Sequence, residues 1–269
     1  MTAFELNDAR RIPAVGFGTY QLRPGRITKS AVSGALAAGY RHIDTATIYG
    51  NEQDVGAAIR ESGIAREDIW VTTKLWNGDH GDPLKALETS LTKLGLDHVD
   101  LWLMHWPTAQ RLKSWDTMVR ARDERLATSI GVSNFLVPHL TELAQHSEVT
   151  PAVDQIELSP FLLGTRADTV RYCRDRGIAI EAYSPLTQGA RLRHPVLVRI
   201  ADGLGVSTAQ VLLRWCLQHG FITLPRSSNP DRIRANLELD GFALSPADMR
   251  ELDDLDEGLT TGWDPSTAS

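Results

Sequence analysis

The sequence is poor in cysteine and lacks the spacings that bind metals. Its 269 residues include two cysteines, Cys173 and Cys216, which lie far apart in helix-like surroundings. It contains no closely spaced cysteine pair and no His-x-x-x-His spacing. These absences exclude a disulfide framework and give no metal site. We therefore interpret both cysteines as reduced packing residues of a cytoplasmic protein.

Long apolar runs, a basic leader and an excess of positive charge are also missing. No apolar stretch approaches the roughly 20 residues that a membrane helix needs. The start, MTAFELNDARR, lacks the basic-then-apolar pattern of a signal peptide. The formal net charge is −6, which makes nucleic acid and anionic membranes poor partners. No segment resembles a dimer surface, so we expect a cytoplasmic monomer that binds neither nucleic acid nor a membrane.

What the sequence does have is a regular alternation of β-prone and helical segments. Asp82, Pro83 and Gly95 mark the start and stop of one helix, and Ser207 with Gln210 forms a capping box for another. Eight apolar, β-rich runs alternate with such helices, which predicts parallel strands in βα units. The runs are residues 14–20, 40–46, 68–75, 98–106, 127–135, 152–158, 178–185 and 221–227.

Two architectures compete for this pattern, an open doubly wound sheet and a closed (β/α)8 barrel. An open dinucleotide-binding sheet begins with strand, G-x-G-x-x-G and helix, whereas Gly16 and Gly18 are followed by neither a third glycine nor an immediate helix. The length matches the roughly 250 residues of a TIM barrel. We therefore predict an α/β fold, one TIM barrel domain over residues 1–269. A hairpin around Asn7 and Asp8 is expected to close its bottom.

Polar residues at the strand ends locate a candidate site, because barrel active sites lie at the C-terminal mouth. Asp44, Lys74 and His105 end three consecutive runs, and Tyr49 follows Asp44 in the next turn, before Asn51, a predicted helix cap. Taken singly, these residues also fit a turn former, a solvated lysine, a core histidine and a turn tyrosine. Their conjunction at corresponding strand ends favours one cluster.

The four side chains together have a plain chemical use. An ammonium group near a phenol favours the phenolate, which predicts a lowered pKa for Tyr49 and a usable acid near neutrality. Asp44 would hold Lys74 charged and oriented. A neutral His105 would form a hydrogen bond with a substrate oxygen.

These motifs resemble those of a known family. GYRHIDTATIYGNE resembles the first signature of the aldo-keto reductases, and VTTKLW, LWLMHWP, SIGVSNF, QIELSP, AYSPL and LPRSSNPDRIRAN resemble its later motifs in the same order. The closest likeness is to the bacterial branch that includes 2,5-diketo-D-gluconate reductases. The resemblance implies a (β/α)8 barrel, a nicotinamide cofactor at its mouth and carbonyl reduction. It places the family's catalytic tetrad on Asp44, Tyr49, Lys74 and His105, with Tyr49 as proton donor.

The resemblance and the local chemistry together predict an NADPH site. Asn229 and Pro230 begin a helix whose free N–H groups would attract phosphate, and Arg226 and Arg232 add charge suited to the 2′-phosphate. Arg226 replaces the family's usual lysine, and Ala235 replaces a frequent glutamate. By resemblance, Ser227, Ser228 and Asn229 join the phosphate site, Asn236 contacts the adenine, and Asp44 is a further cofactor contact. Tyr183 would stack on the nicotinamide. The other implied contacts are Ser133, Asn134 and Gln155 at the carboxamide, and Ser184, Leu186 and Gln188 along the pyrophosphate.

The substrate pocket is expected to be apolar and open. Tyr20, Trp76 and Trp106 would wall it, with His105 at its base. The loop after Trp106 and the tail TTGWDPSTAS are short, which predicts broad tolerance and leaves the position of Trp263 undecided.

Three functions are consistent with the sequence. The first is an NADP-dependent oxidoreductase that reduces aldehydes, dicarbonyls or ketones to alcohols with NADPH. The second is a cofactor-binding redox sensor with low turnover, as in aldo-keto reductase-like channel subunits; the complete tetrad argues against it. The third is a metal-free isomerase or aldolase with Lys74 as a Schiff-base amine. A neighbouring Asp44 would keep that lysine protonated and disfavour attack.

Overall fold

A computed structural model describes residues 2–263 and Pro265, and it contains an eight-stranded parallel sheet preceded by a small antiparallel one. The strands of the large sheet are neighbours in chain order, as βα units require. The strands are β1 (Ala3–Glu5), β2 (Arg11–Pro13), β3 (Phe17–Gly18), β4 (His42–Asp44), β5 (Trp70–Leu75), β6 (Val99–Met104), β7 (Ala127–Ser133), β8 (Val153–Glu157), β9 (Ala179–Tyr183) and β10 (Ile222–Thr223).

The large sheet closes on itself. Val15, just before β3, pairs in parallel with Thr223 of β10. The Gly16 N–H donates to the Thr223 carbonyl at 2.9 Å, and the Thr223 N–H donates to the Ala14 carbonyl at 2.9 Å. Each of the eight predicted runs contains one of these strands. The predicted (β/α)8 barrel is therefore confirmed.

Helices cover the outside of the sheet and bury its apolar outer face. The described helices are α1 (Arg26–Ala38), α2 (Glu52–Glu61), α3 (Pro83–Leu94), α4 (Arg111–Asp123), α5 (Val137–His146), α6 (Leu163–Asp175), α7 (Pro195–Leu204), α8 (Thr208–Gln218), α9 (Pro230–Ala235) and α10 (Pro246–Asp253). Among them no single helix is long and apolar enough to cross a membrane. The pair α7 and α8 passes that test only jointly, and the two are bent by 89°.

Local signals set several helix ends as the sequence predicted. The Asp82 carboxylate accepts the Lys85 N–H at the start of α3, and Gly95 ends that helix with a φ of 65°. Ser207 and Gln210 form the predicted capping box of α8.

The hairpin of β1 and β2 closes the N-terminal end of the barrel, as predicted. Ile12 is fully buried and packs in an apolar cluster with Trp70 and Val153, which lie at the starts of β5 and β8. The turn is tied down by polar contacts, because the Asn7 amide donates to the Pro151 carbonyl at 2.8 Å and the Ser129 hydroxyl donates to Asp8 at 2.6 Å. The opposite, C-terminal end is left open for the candidate site.

Candidate active site

The Lys74 side chain lies inside the barrel, fully buried, at the C-terminal end of β5. Its Nζ atom is 2.7 Å from each Asp44 carboxylate oxygen and 2.9 Å from the Thr45 carbonyl. β4 and β5 are adjacent, so the strand-end positions meet as the sequence predicted. Lys74 is thus an ion-paired core residue rather than a solvated tip.

Tyr49 reaches the same ammonium from the turn after β4. A short 3-10 helix, Thr47–Tyr49, is fixed by the Thr47 hydroxyl, which donates to the Lys74 carbonyl at 2.9 Å. Gly50 ends this turn with a φ of 67°, a region that favours glycine. The Tyr49 hydroxyl lies 3.4 Å from Lys74 Nζ, and Nζ lies 5.0 Å from the centroid of the ring. The turn therefore aims the phenol at the lysine.

The sequence predicts Asn51 as the cap of α2, but its side chain holds the preceding turn in place instead. It occupies the N-cap position, yet its side chain makes no capping hydrogen bond. Its amide nitrogen donates to the Thr19 carbonyl at 3.0 Å and to the Leu22 carbonyl at 3.3 Å, while its oxygen accepts the Thr45 hydroxyl. Asn51 is fully buried, and it joins the loop after β3 to the loop after β4.

His105 follows β6 and faces Tyr49, with ring centroids 5.8 Å apart. Burial, and then the neighbouring Lys74 charge, hold the pKa of His105 well below its ordinary value of 6.5. The imidazole is therefore neutral at physiological pH. Its Nδ1 atom is buried and has no protein partner within the described residues. A neutral ring that lines the cleft suits hydrogen bonding to a substrate oxygen.

The pKa of Tyr49 differs from the sequence-based expectation. Burial raises it well above 10.0, and the negative charge of Asp44 raises it further. The predicted lowering by Lys74 is wrong for this structure, because loss of water around the phenolate outweighs the ammonium. Tyr49 consequently stays protonated across the physiological range, and the phenol is available as a proton source.

A second buried carboxyl group, missed in the sequence, lies beneath the cluster. Glu181 of β9 is fully buried, and its Oε2 atom accepts a hydrogen bond from Gln155 Nε2 at 2.6 Å. The same Gln155 nitrogen donates to Asp44 Oδ2 at 2.9 Å. Glu181 Oε1 lies 3.4 Å from His42 Nε2, and both side chains are fully buried. The polar cluster therefore extends into the barrel, and the only sequence signal was a glutamate inside the apolar run 178–185.

A cleft of about 1190 Å³ opens at this end of the barrel and collects most of the predicted cofactor residues. Ser228 and Asn229 do not line it, although both were predicted at the phosphate site. The predicted cofactor residues that line it are Asp44, Ser133, Asn134, Gln155, Tyr183, Ser184, Leu186, Gln188, Arg226, Ser227, Arg232 and Asn236.

The residues predicted at the carboxamide are joined to one another. The Tyr183 hydroxyl donates to Asn134 Oδ1 at 2.8 Å, and Asn134 Nδ2 donates to the His105 carbonyl at 3.0 Å. The Ser133 hydroxyl donates to the Gln155 carbonyl at 2.8 Å. Asn134 has a φ of 64°, a conformation that asparagine tolerates better than other side chains. This network ties the ends of β6, β7, β8 and β9 together below the cleft.

The start of α9 differs from the free helix end that was predicted. The Asn229 side chain accepts the N–H groups of Asp231 and Arg232, so these donors are already used. The Arg232 guanidinium reaches the Ser227 hydroxyl at 3.3 Å, and Arg226 donates to Gln21 Oε1 at 2.9 Å. Positive charge at this part of the cleft is therefore supplied by the two guanidinium groups.

Several cleft residues carried no usable sequence signal. Strained backbone marks one of them, since Gln21 has a φ of 61° without being glycine. Such conformations depend on the surrounding structure and cannot be read from the residue type. The lining residues that were not predicted include Gly18, Gln21, Ile48, Leu192, Thr208 and Asp231.

Aromatic rings form one wall of the cleft. Tyr20, Trp76, His105 and Trp106 all line it, as predicted. Trp263 of the tail also lines it, with ring centroids 6.1 Å from Trp76 and 5.6 Å from Trp106. The tail therefore reaches the pocket, while the predicted segment after Pro265 lies outside the described residues.

Glu157, at the end of β8, fixes this tail. Its carboxylate accepts the Thr261 N–H at 2.6 Å and the Gly262 N–H at 3.2 Å. Gln188 adds a hydrogen bond to the Thr261 carbonyl at 3.3 Å. The tail therefore covers part of the cleft, and the site is less open than the short length of the tail predicts.

Comparison with known proteins accounts for this arrangement. The model of the aldo/keto reductase family matches residues 14–257. The chain belongs to the aldo/keto reductase family. The glyoxal reductase of Bacillus subtilis is 42% identical over 264 residues, which cover 97% of this chain and 95% of that protein.

Solved structures of aldo-keto reductases share the fold. An aldo/keto reductase from Brucella melitensis has a TM-score of 0.91 and 45% identity, covering 95% of this chain and 99% of that one. A Bombyx mori aldo-keto reductase in complex with NADP has a TM-score of 0.90 and 36% identity, covering 96% and 94%. The family uses a nicotinamide cofactor, and carbonyl compounds fit it as substrates.

Proposed function

We propose that this aldo-keto reductase catalyses the NADPH-dependent reduction of aldehydes, dicarbonyls or ketones to alcohols, with Tyr49 as the proton donor. The main observation in support of this proposal is that Lys74 Nζ contacts both the Asp44 carboxylate and the Tyr49 hydroxyl at the mouth of the barrel. The family, the similarity to a glyoxal reductase and the NADP complex of a structural neighbour support this proposal.

The residues of the cleft fit NADPH by their chemistry. Gln155 uses both amide hydrogens on Asp44 and Glu181, so its oxygen is left to accept from a carboxamide. Arg226, Arg232 and Ser227 form a cationic, hydroxyl-bearing group suited to the 2′-phosphate. Ala235 lines the cleft near the predicted adenine contact Asn236 and supplies no polar group there. When bound, NADPH supplies the hydride that the carbonyl carbon accepts.

Tyr49 then supplies the proton. Hydride addition to a carbonyl leaves an alkoxide, which is a stronger base than a phenolate. A phenol with a raised pKa therefore still donates its proton to the developing oxyanion. The phenolate that remains lies beside the Lys74 ammonium, which Asp44 keeps in place. The neutral His105 orients the carbonyl oxygen without competing as an acid.

The lysine of this site is poorly suited to forming a Schiff base. A nucleophilic amine needs a free lone pair and access to the substrate. Lys74 is fully buried, and its nitrogen donates to Asp44 and to the Thr45 carbonyl. The geometry thus favours a structural and electrostatic role over covalent catalysis.

The aromatic wall favours substrates with a planar or apolar group next to the carbonyl. Trp76, Trp106 and Trp263 offer faces and edges rather than fixed charges. We therefore propose that aromatic aldehydes and α-dicarbonyls are better substrates than sugar acids, whose carboxylates would lose water without gaining a charged partner there.

The decisive experiment is a steady-state assay of the wild-type protein with NADPH and with NADH. The panel contains phenylglyoxal, methylglyoxal, an aromatic aldehyde and a sugar acid. We expect carbonyl-dependent oxidation of NADPH with the first three. Tight NADPH binding without carbonyl-dependent oxidation would contradict the proposal and identify a redox sensor instead.

The cytoplasmic location and the monomeric state stay predictions from the sequence. The oligomeric state is checked by light scattering on the eluted protein, with one chain expected per particle. A particle of two or more chains would contradict it.

A further inference from the structure

Glu181 has no part in the tetrad, yet it is joined to it through one amide group. Gln155 Nε2 donates to Glu181 Oε2 at 2.6 Å and to Asp44 Oδ2 at 2.9 Å. Asp44 in turn holds Lys74 through both of its oxygens. A chain of contacts therefore runs from Glu181 to the ammonium that touches Tyr49.

We propose that Glu181 is a positioning residue for carbonyl reduction: through Gln155 it fixes the Asp44 carboxylate against Lys74 and turns the Gln155 amide oxygen towards the cofactor's carboxamide. The inference rests on the proposed function. It extends that function to a residue that lies below the cleft and touches neither cofactor nor substrate.

The orientation of the Gln155 amide is what makes this role specific. An amide nitrogen carries two hydrogens, and both are taken by carboxyl oxygens on the inner side. If Asp44 were the only acceptor, one hydrogen of the Gln155 amide would be unpaired, and the amide could rotate more freely. With Glu181 in place, the oxygen is the polar atom that remains for a ligand.

Charge balance explains why a second carboxyl group is tolerated there. The titratable side chains that face Glu181 are His42, Asp44, Lys74 and Tyr49. The neighbouring strands add Gln155 from β8 and no titratable side chain from β10. Lys74 compensates one buried negative charge, that of Asp44, so a second would be uncompensated.

Glu181 is accordingly neutral at physiological pH. Burial, and then the Asp44 charge, raise the pKa of Glu181 from its ordinary 4.5 to about 8. Burial lowers the pKa of His42 to about 3, so its ring is also neutral. A protonated carboxyl group accepts from Gln155 through Oε2 and presents Oε1 to His42 Nε2, 3.4 Å away.

Ionisation of Glu181 is therefore expected to slow reduction. A carboxylate at this position adds negative charge near Asp44 and raises the pKa of Tyr49 further. Tyr49 itself titrates well above 10.0 and His105 well below 6.5, so neither produces a change near pH 8. A decline in kcat/KM through about pH 8 would then report on Glu181.

Two substitutions separate positioning from mere packing. Glu181→Gln imitates the protonated acid, since its amide oxygen can accept from Gln155 and its amide nitrogen takes the place of the hydroxyl end of the acid, uncharged. We expect near wild-type kcat/KM at pH 7 and loss of the decline near pH 8.

Asp154→Asn is the matched control, because Asp154 is also a buried acid but faces Cys173 of α6 on the other side of β8. Its pH profile should equal that of the wild type.

Glu181→Leu removes the acceptor altogether. We expect kcat/KM to fall about ten-fold, the equivalent of one lost hydrogen bond. NADPH should bind more weakly by a similar factor. Binding of 2′,5′-ADP, which lacks the nicotinamide, should not change. A general structural defect would weaken both ligands together.

The outcomes distinguish this inference from the proposed function. A decline near pH 8 that persists in Glu181→Gln would overturn the inference, as would wild-type NADPH affinity in Glu181→Leu. If Glu181→Leu fails to fold, the pH profile of Glu181→Gln decides. If the wild type shows no carbonyl-dependent turnover, the proposed function fails. The inference is then judged by whether NADPH affinity declines through pH 8 in the wild type but not in Glu181→Gln.

Discussion

The Lys74 ammonium lies 2.7 Å from both carboxylate oxygens of Asp44 and is fully buried. Removing one partner of a buried pair leaves an uncompensated charge, which is strongly destabilising. The pair therefore combines two tasks, because it stabilises the barrel and holds a positive charge next to Tyr49.

Lys74→Met tests the stabilising task. It leaves Asp44 buried without a counter-ion, and we expect the free energy of unfolding to fall by about 3–5 kcal/mol. The measurement is urea denaturation followed by circular dichroism. Lys29→Met is the matched control, since Lys29 pairs with Glu61 on the surface and should cost at most about 1 kcal/mol. Equal losses in the two variants would contradict the buried-pair account.

The pH dependence of stability tests the neutral state of Glu181. Between its ordinary pKa of 4.5 and its folded pKa of about 8, the unfolded chain has released this proton while the folded chain retains it. The unfolded state then binds fewer protons, so stability falls as pH rises through this window and levels off above it.

Glu181→Gln should remove that contribution, which is on the order of a few kcal/mol. The difference in unfolding free energy between variant and wild type should grow from pH 4.5 to 8 in favour of the variant. Asp240→Asn, an exposed substitution, should show no such trend. A difference that stays constant with pH would show that Glu181 is ionised in the folded protein throughout.

Arg226→Ala tests the preference for NADPH over NADH. The guanidinium lines the cleft, and its loss should weaken NADPH binding by about ten-fold while leaving NADH nearly unchanged. Arg234→Ala is the control from the neighbouring helix, where Arg234 pairs with Asp231 and does not line the cleft. Fluorescence titration measures both cofactors. A similar loss for NADPH and NADH would assign Arg226 to a role other than 2′-phosphate recognition.

Trp263→Ala tests the aromatic wall. Removing one aromatic contact should raise KM for phenylglyoxal roughly 3- to 10-fold, with a smaller change for methylglyoxal, which has no ring. Trp263→Phe should restore most of the loss because it retains an aromatic face. An equal change for both substrates would place Trp263 outside substrate recognition.

The low pKa of His105 predicts that kcat/KM does not decline at mildly acidic pH. Because the ring stays neutral, kcat/KM for reduction should stay flat between about pH 5.5 and 7.5. An unshifted histidine would charge below 6.5 and reduce activity there. The pH profile of the Asp154→Asn variant should be equally flat. A decline centred near pH 6.5 would contradict the neutral-imidazole account.

Strand-end residues could be predicted because they follow from periodicity and from one rule of barrel architecture. Asp44, Lys74 and His105 end neighbouring strands, and adjacency in sequence order brings them together. The helix ends at Asp82 and Gly95 could also be predicted, because a helix cap depends on residues that are close in the sequence.

The interior network could not be predicted in this way. Glu181 contacts Gln155 of the adjacent strand β8, and nothing in the residues next to Glu181 in the sequence distinguishes it from a misplaced surface residue. The pKa of Tyr49 depends on how completely the fold removes water from around its hydroxyl group. The degree of burial cannot be predicted from the types of the neighbouring residues. Asn51 had a cap position, but its side chain found partners in a different loop.

Tyr49→Phe provides the most direct test of the central claim, that Tyr49 donates the proton. The single-turnover rate of NADPH oxidation with phenylglyoxal is measured together with the NADPH dissociation constant. We predict a rate at least about 100-fold lower, because the hydroxyl group is lost, with an unchanged dissociation constant, because the ring remains. A rate within a few-fold of the wild type would contradict the assignment of Tyr49 as the acid.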